Sequence, residues 1–112
     1  MNYNFGDVVL VNFPFTNLKS SKKRPAVIIS SEEYNISRPD IILMALTSQI
    51  KTQLGFGGVL INKWQEAGLP KPSLLKPLIA TVEQDVVVKK IGRLSYSDIE
   101  NLVCTMQDVL GK

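Results

Sequence analysis

Short apolar runs, each too short for a helix and each bounded by turn-forming residues, follow one another along most of this chain. Residues 8–12 (VVLVN) come after the turn signal Gly6-Asp7, and residues 26–30 (AVIIS) come after Arg24-Pro25. Residues 41–46 (IILMAL) are a continuous apolar run of strand length. Further runs lie at 58–61, 78–82 and 86–94. Six strand candidates spaced by turns predict a mainly β fold, a small closed barrel. The linking segments are polar or rich in Gly and Pro: 13–23 (opening Phe13-Pro14-Phe15), 48–57 (ending in Gly55-Phe56-Gly57), and 64–73, with Gly68, Pro70 and Pro72.

The end of the chain changes period. Ile99, Leu102, Val103, Met106 and Leu110 recur at helical spacing and form one apolar stripe. Ser95 with Asp98 three residues later reads as a capping box, with Asp in place of the usual Glu. Gly111 stands where a C-terminal stop belongs. The stripe is expected to pack the helix on the barrel. At 112 residues the chain is one domain's worth, spanning 1–112.

Composition removes whole classes of chemistry. There is no His, and Cys104 is the lone cysteine. Nucleophile–histidine pairs are therefore excluded, and a zinc site is nearly so. No metal and no cofactor are expected. Catalysis would rest on Arg, Lys, Asp, Glu, Tyr, Ser or Thr. No apolar run reaches the ~18 residues of a membrane span, the N-terminus lacks a signal-peptide layout, and a single cysteine forms no internal disulfide. A cytoplasmic protein is expected.

Thirteen basic residues against ten acidic give a net charge of +3. Lys19, Lys22, Lys23 and Arg24 cluster without an acid, and so do Lys89, Lys90 and Arg93. Such patches attract polyanions by counterion release, although on charge alone two solvated basic faces are an equal reading.

Five segments carry a resemblance: Gly6-Asp7-Val8-Val9-Leu10-Val11, Arg24-Pro25-Ala26-Val27-Ile28-Ile29-Ser30, Ala45-Leu46-Thr47-Ser48-Gln49, Gly68-Leu69-Pro70-Lys71-Pro72-Ser73 and Lys90-Ile91-Gly92-Arg93-Leu94-Ser95. In this order and spacing they resemble the motifs of the MazF/PemK toxins across essentially the whole chain. The resemblance implies an SH3-like barrel with a C-terminal helix, a homodimer, and an endoribonuclease that cuts single-stranded RNA without a metal ion. It also implies a cognate antitoxin with an acidic tail, through which alone the complex would bind DNA. Where family members often carry an Arg shortly before an acid, this chain has Ala80-Thr81-Val82-Glu83.

The resemblance, read together with side-chain chemistry, implies roles for named residues; on the residues alone, an exposed Arg beside a turn and a strand-capping Thr are the competing readings of Arg24 and Thr47. Arg24 offers a planar, permanently charged fork to phosphate oxygens and is the expected charge stabiliser. Thr47, closing its strand, is expected to place its hydroxyl on a phosphate. Glu83 holds the acidic position as candidate base, with Asp85 a weaker alternative. A surface carboxylate pairing with Lys89 or Lys90 is an equal reading of Glu83. RNA contacts are expected from Lys19, Lys22, Lys23, Ser48 and Gln49, with stacking on Phe56 worth roughly 1–3 kcal/mol per base. Phe13, Phe15 and Trp64 are lesser stacking candidates. Two alternatives share the fold: an RNA- or partner-binding module with weakened catalysis, motivated by Ala80, and a gyrase poison like CcdB. The latter family relies on a C-terminal Trp-Gly-Ile that this chain lacks.

Overall fold

A computed structural model describes residues 2–13, 22–50 and 58–111. In chain order its elements are β1 (Asp7–Phe13), β2 (Lys22–Ile28), α1 (Glu32–Ser37), β3 (Asp40–Thr47), β4 (Val59–Leu60), β5 (Leu74–Glu83), a 3-10 turn (Gln84–Val86), β6 (Val87–Arg93) and α2 (Tyr96–Val109). The strands form one antiparallel sheet in the order β4-β5-β3-β2-β1-β6.

Apolar runs in these strands are continuous, not alternating, because both faces of the sheet are covered. Val8, Val27, Met44, Leu46 and Leu75 pack with Leu102 of α2 on one face. Val9, Val11, Ala26, Ile28, Ile41 and Leu43 join Tyr3 and Val82 on the other. Burying Leu102 completely contributes about 2 kcal/mol by area alone.

The sheet curls until its two ends meet. A Cβ on Gly92 of β6 would stand 2.2 Å from the carbonyl oxygen of Ala67, and one on Gly68 would stand 2.0 Å from that of Ile91. Gly68 also has φ +83, a backbone that side chains rarely adopt. The turn after β4 thus presses its backbone against β6, the opposite edge of the sheet.

Helix α2 starts as the capping box anticipates. Ser95 Oγ accepts the backbone N–H of Asp98 at 3.2 Å and donates to Asp98 Oδ2 at 3.0 Å. Asp98, 1% exposed, also accepts the N–H groups of Asn62 and Lys63 at 2.9 and 3.0 Å. One carboxylate therefore holds the capping Ser95 hydroxyl and ties the helix to the turn that closes the sheet. Gly111, φ +75, ends the helix.

Three boundaries differ from the sequence expectation. Strand β2 begins at Lys22, before the Arg24-Pro25 pair that reads as a turn. Strand β5 begins at Leu74, not at 78, because it runs through Pro77 on a bulge: the register passes from Met44↔Ile79 to Leu46↔Leu75. The short α1 lacks an apolar period and rests on its cap, Ser31 Oγ accepting the Tyr34 N–H at 3.1 Å, and on Glu32 and Glu33 in its first turn.

Candidate active site

Strands β2 and β3 pair as Ile28↔Leu43, Val27↔Met44 and Ala26↔Ala45. Just beyond this ladder the Ile29 N–H donates to the Ile42 carbonyl at 2.9 Å. Alternate residues of β2 turn their N–H toward β3, so after 29 and 27 the next donor would be residue 25. That residue is Pro25, which has no N–H, and the ladder stops there. Continuing the register sets Arg24 opposite Thr47 across the resulting gap.

The gap is the floor of a cleft of about 310 Å³. Lys23, Arg24 and Pro25 line it from β2, Leu46, Thr47, Ser48 and Gln49 from the end of β3, and Pro70, Lys71 and Ser73 from the segment before β5. Three cations face it, and no carboxylate is among its described lining residues. Nor do the neighbouring stretches 14–21 and 51–57 contain an acid or a His in their sequence. Among the described residues, Lys23, Arg24 and Lys71 are exposed and have no ion-pair partner. Thr47 Oγ1 accepts the backbone N–H of Gln49 at 3.1 Å. That bond uses one of the oxygen's two lone pairs and leaves the hydroxyl proton available to donate.

Five expected residues are therefore brought together: Lys23, Arg24, Thr47, Ser48 and Gln49. Lys19, Phe56, Phe15 and the side chains of Lys22 and Phe13 lie outside the described residues. Glu83 is not brought to the cleft. It pairs in register with Asp40 at one end of the β3–β5 ladder, whereas Thr47 pairs with Leu74 at the other. Seven residues of β3 separate the two ends, on the order of 23 Å at ~3.4 Å per residue. Asp85 follows Glu83 in the 3-10 turn, equally distant in chain terms. Ala80 lies opposite Leu43, packed on the second core cluster, so the cation absent at this position is not absent from the cleft. Trp64 is partly buried, packs against the first cluster and is not among the described lining residues of the cleft.

The second basic cluster is partly neutralised. Lys90 Nζ and Arg93 Nη1 reach the buried Asp7 carboxylate at 3.2 and 3.1 Å. Each also donates to a backbone carbonyl near the N-terminus, Asn2 and Phe5 respectively. Its acid is more than eighty positions away in sequence, which hid the pairing. Sequence reading also passed over Lys71 and Ser73, although both stand in the Gly68–Ser73 motif.

At the far end of β3, Tyr34 donates its hydroxyl to Asp40 Oδ2, and Arg38 Nε donates to Asp40 Oδ1 at 2.8 Å. The Tyr34 hydrogen bond, helped by Arg38, holds the Asp40 carboxyl below the usual carboxylate range, and the same bond raises the Tyr34 phenol.

The family described as PemK-like, MazF-like toxins of type II toxin–antitoxin systems matches residues 4–110. The chain belongs to this family. No curated protein matches its sequence. Among solved structures, MazF from Deinococcus radiodurans is similar with a TM-score of 0.79 at 16% identity, over 100% of this chain and 99% of that one. An endoribonuclease from a mycobacterial species, solved with its cognate antitoxin, gives 0.75 at 15% identity over 98% and 94%. Mycobacterium tuberculosis toxin MazF-mt6 gives 0.77 at 16% identity over 94% and 96%. At these identities the likeness is one of fold, a curled antiparallel sheet with a C-terminal helix. No helix among the described residues is long and apolar enough to cross a membrane.

Proposed function

We propose that this chain is the toxin of a type II toxin–antitoxin system and an endoribonuclease that cuts single-stranded RNA in the Arg24–Thr47 cleft. One observation carries the reading: where Pro25 stops the β2–β3 ladder, a guanidinium with no ion-pair partner among the described residues and a hydroxyl with its proton available to donate flank a cleft with three cations and no carboxylate among its described lining. Such a lining selects a polyanion.

In the reaction, the ribose 2′-oxygen attacks the adjacent phosphorus while the bond to the 5′-oxygen breaks. The products are a 2′,3′-cyclic phosphate and a 5′-hydroxyl, and dependence on the 2′-OH restricts cleavage to RNA. Arg24 grips the non-bridging oxygens, whose charge grows in the pentacoordinate state. Thr47 donates to the same phosphate and holds it in line. With no carboxylate in the cleft lining, the 2′-proton passes to solvent hydroxide and the leaving oxygen takes a proton from water. Neither proton transfer requires Glu83 or a metal ion.

The partners follow from the same charge. An antitoxin's acidic, partly disordered tail would occupy the cationic cleft and exclude RNA. Two copies would join their clefts into a longer groove for an extended strand, and any DNA contact would come through the antitoxin. The cytoplasm, where messenger RNA is exposed, is the site of action.

The test is incubation of the purified protein with a long RNA in EDTA, followed by end-group analysis. Fragments ending in 2′,3′-cyclic phosphate, lost in Arg24→Ala, are expected. Intact RNA with a correctly folded protein would refute the reading.

A further inference from the structure

Lys71 sits on a segment built to hold it still. Pro70 and Pro72 fix φ on either side. The segment is fastened at both ends by buried residues: the Leu69 N–H donates to the Trp64 carbonyl at 3.1 Å, and the Ser73 carbonyl accepts the Ile61 N–H at 2.9 Å. Between them, Ser73 Oγ donates to the carbonyl of Lys71 itself at 2.9 Å. Three backbone groups are tied down so that one exposed ammonium faces the cleft.

Its side of the cleft is also defined. The sheet order β5-β3-β2 places Thr47 between Arg24 on β2 and the segment leading into β5, where Leu74 is the register partner of Thr47. At ~4.8 Å per strand the two flanks are about 10 Å apart at the backbone. A guanidinium fork and a hydroxyl on one side suit the reacting phosphate. An ammonium on the other is a point charge without directional demand, suited to anchoring.

We propose that Lys71 binds the phosphate adjacent to the scissile one, so that the RNA backbone crosses the cleft from the β2 flank to the β5 flank. The proposal rests on the reading of this cleft as the RNA site, and assigns Lys71 to binding and not to the chemical step. Because the segment's backbone is ordered beforehand, the entropy lost when the phosphate arrives is confined mainly to the lysine side chain.

The test measures binding of a mixed-sequence, fully 2′-O-methylated RNA, which lacks the nucleophile, across a range of salt concentrations. Lys71→Ala should lower the slope of log affinity against log salt by about 0.7, the loss of one phosphate contact on a single strand. Lys71→Arg should restore the slope. With cleavable RNA at saturation, Lys71→Ala should keep kcat within about twofold while KM rises about tenfold, in proportion to the one lost contact. Lys76→Ala, outside the cleft lining, is the control and should leave the slope unchanged. A wild-type slope in Lys71→Ala, an equal drop in Lys76→Ala, or a fall in kcat without one in affinity would overturn the assignment. If the wild-type protein binds RNA with the Lys71-dependent slope but never cleaves it, the enzymatic reading fails and the Lys71 contact stands.

Discussion

Thr47 Oγ1 accepts the Gln49 backbone N–H at 3.1 Å, a contact that holds the hydroxyl at the end of β3 while its proton stays available to donate. Thr47→Ser keeps both roles and should cleave within a few-fold of wild type. Thr47→Val keeps the shape but loses the donor, and should cut single-turnover cleavage by about one to two powers of ten, somewhat less than the loss of a full oxyanion donor. Equal rates for the two variants would remove Thr47 from the chemistry.

Arg24→Ala should lower kcat by about two to three powers of ten, the usual loss for a transition-state donor. Affinity for RNA should fall only modestly, since Lys23 and Lys71 remain. Arg24→Lys should recover little, because a point charge does not reproduce the bidentate fork. A folded Arg24→Ala protein with the wild-type rate would end the mechanism given above.

Glu83→Gln should leave both the rate and its pH profile unchanged, because Glu83 stands at the opposite end of the β3–β5 ladder from Thr47. Without a carboxylate base, log kcat should climb by about one per pH unit across the acid and neutral range. A plateau that vanishes in Glu83→Gln would return that residue to the reaction.

Asp98→Ala removes a buried carboxylate that accepts from the capping Ser95 hydroxyl, and leaves the Asn62 and Lys63 N–H groups without their acceptor. A loss of about 3 kcal/mol is expected, since bonds to charged groups run at ~1.5–3 kcal/mol each. Urea denaturation would measure it. A change under about 0.5 kcal/mol, the level of an ordinary surface substitution, would mean water replaces the carboxylate there.

The Asp40 carboxyl, lowered by Tyr34 and Arg38, stabilises the fold only while ionised. Its contribution is complete above the unfolded value of about 3.9 and is lost as pH falls below it. The Tyr34 phenol is raised, so its contribution holds below about pH 10 and is lost above that. Thermal melts should show a shallower acid limb in Asp40→Asn and a shallower alkaline limb in Tyr34→Phe. Limbs identical to wild type would show that the cluster adds no pH-dependent stability.

What the sequence revealed, it revealed through local rules. Strand runs, the Ser95–Asp98 cap and the Gly111 stop are set by neighbours; the cap and the stop stand where their residues indicate, and the strands do so apart from the starts of β2 and β5. The placement of Arg24 and Thr47 at one cleft was foreshadowed by local signals, a cation directly before Pro25 and a hydroxyl closing an apolar strand. Relations made by folding were hidden: the Asp7 carboxylate that partly neutralises Lys90 and Arg93, the bulge that carries β5 through Pro77, and the distance between Glu83 and the cleft. Register decides all three, and no short window of sequence contains it. Lys71 was visible but silent, since a lysine between two prolines says nothing until its cleft is known.

The contact of Gly68 with Ile91 and that of Gly92 with Ala67 seal the curled sheet, and only a few residues later the same stretch of chain delivers Lys71 and Ser73 to the cleft. Seam and cleft are therefore two ends of one short ruler. Its length matters more than most of its letters. Inserting a single residue between Gly68 and Ser73 would either pry the seam apart or carry the lysine out of reach, whereas many substitutions within it would do neither.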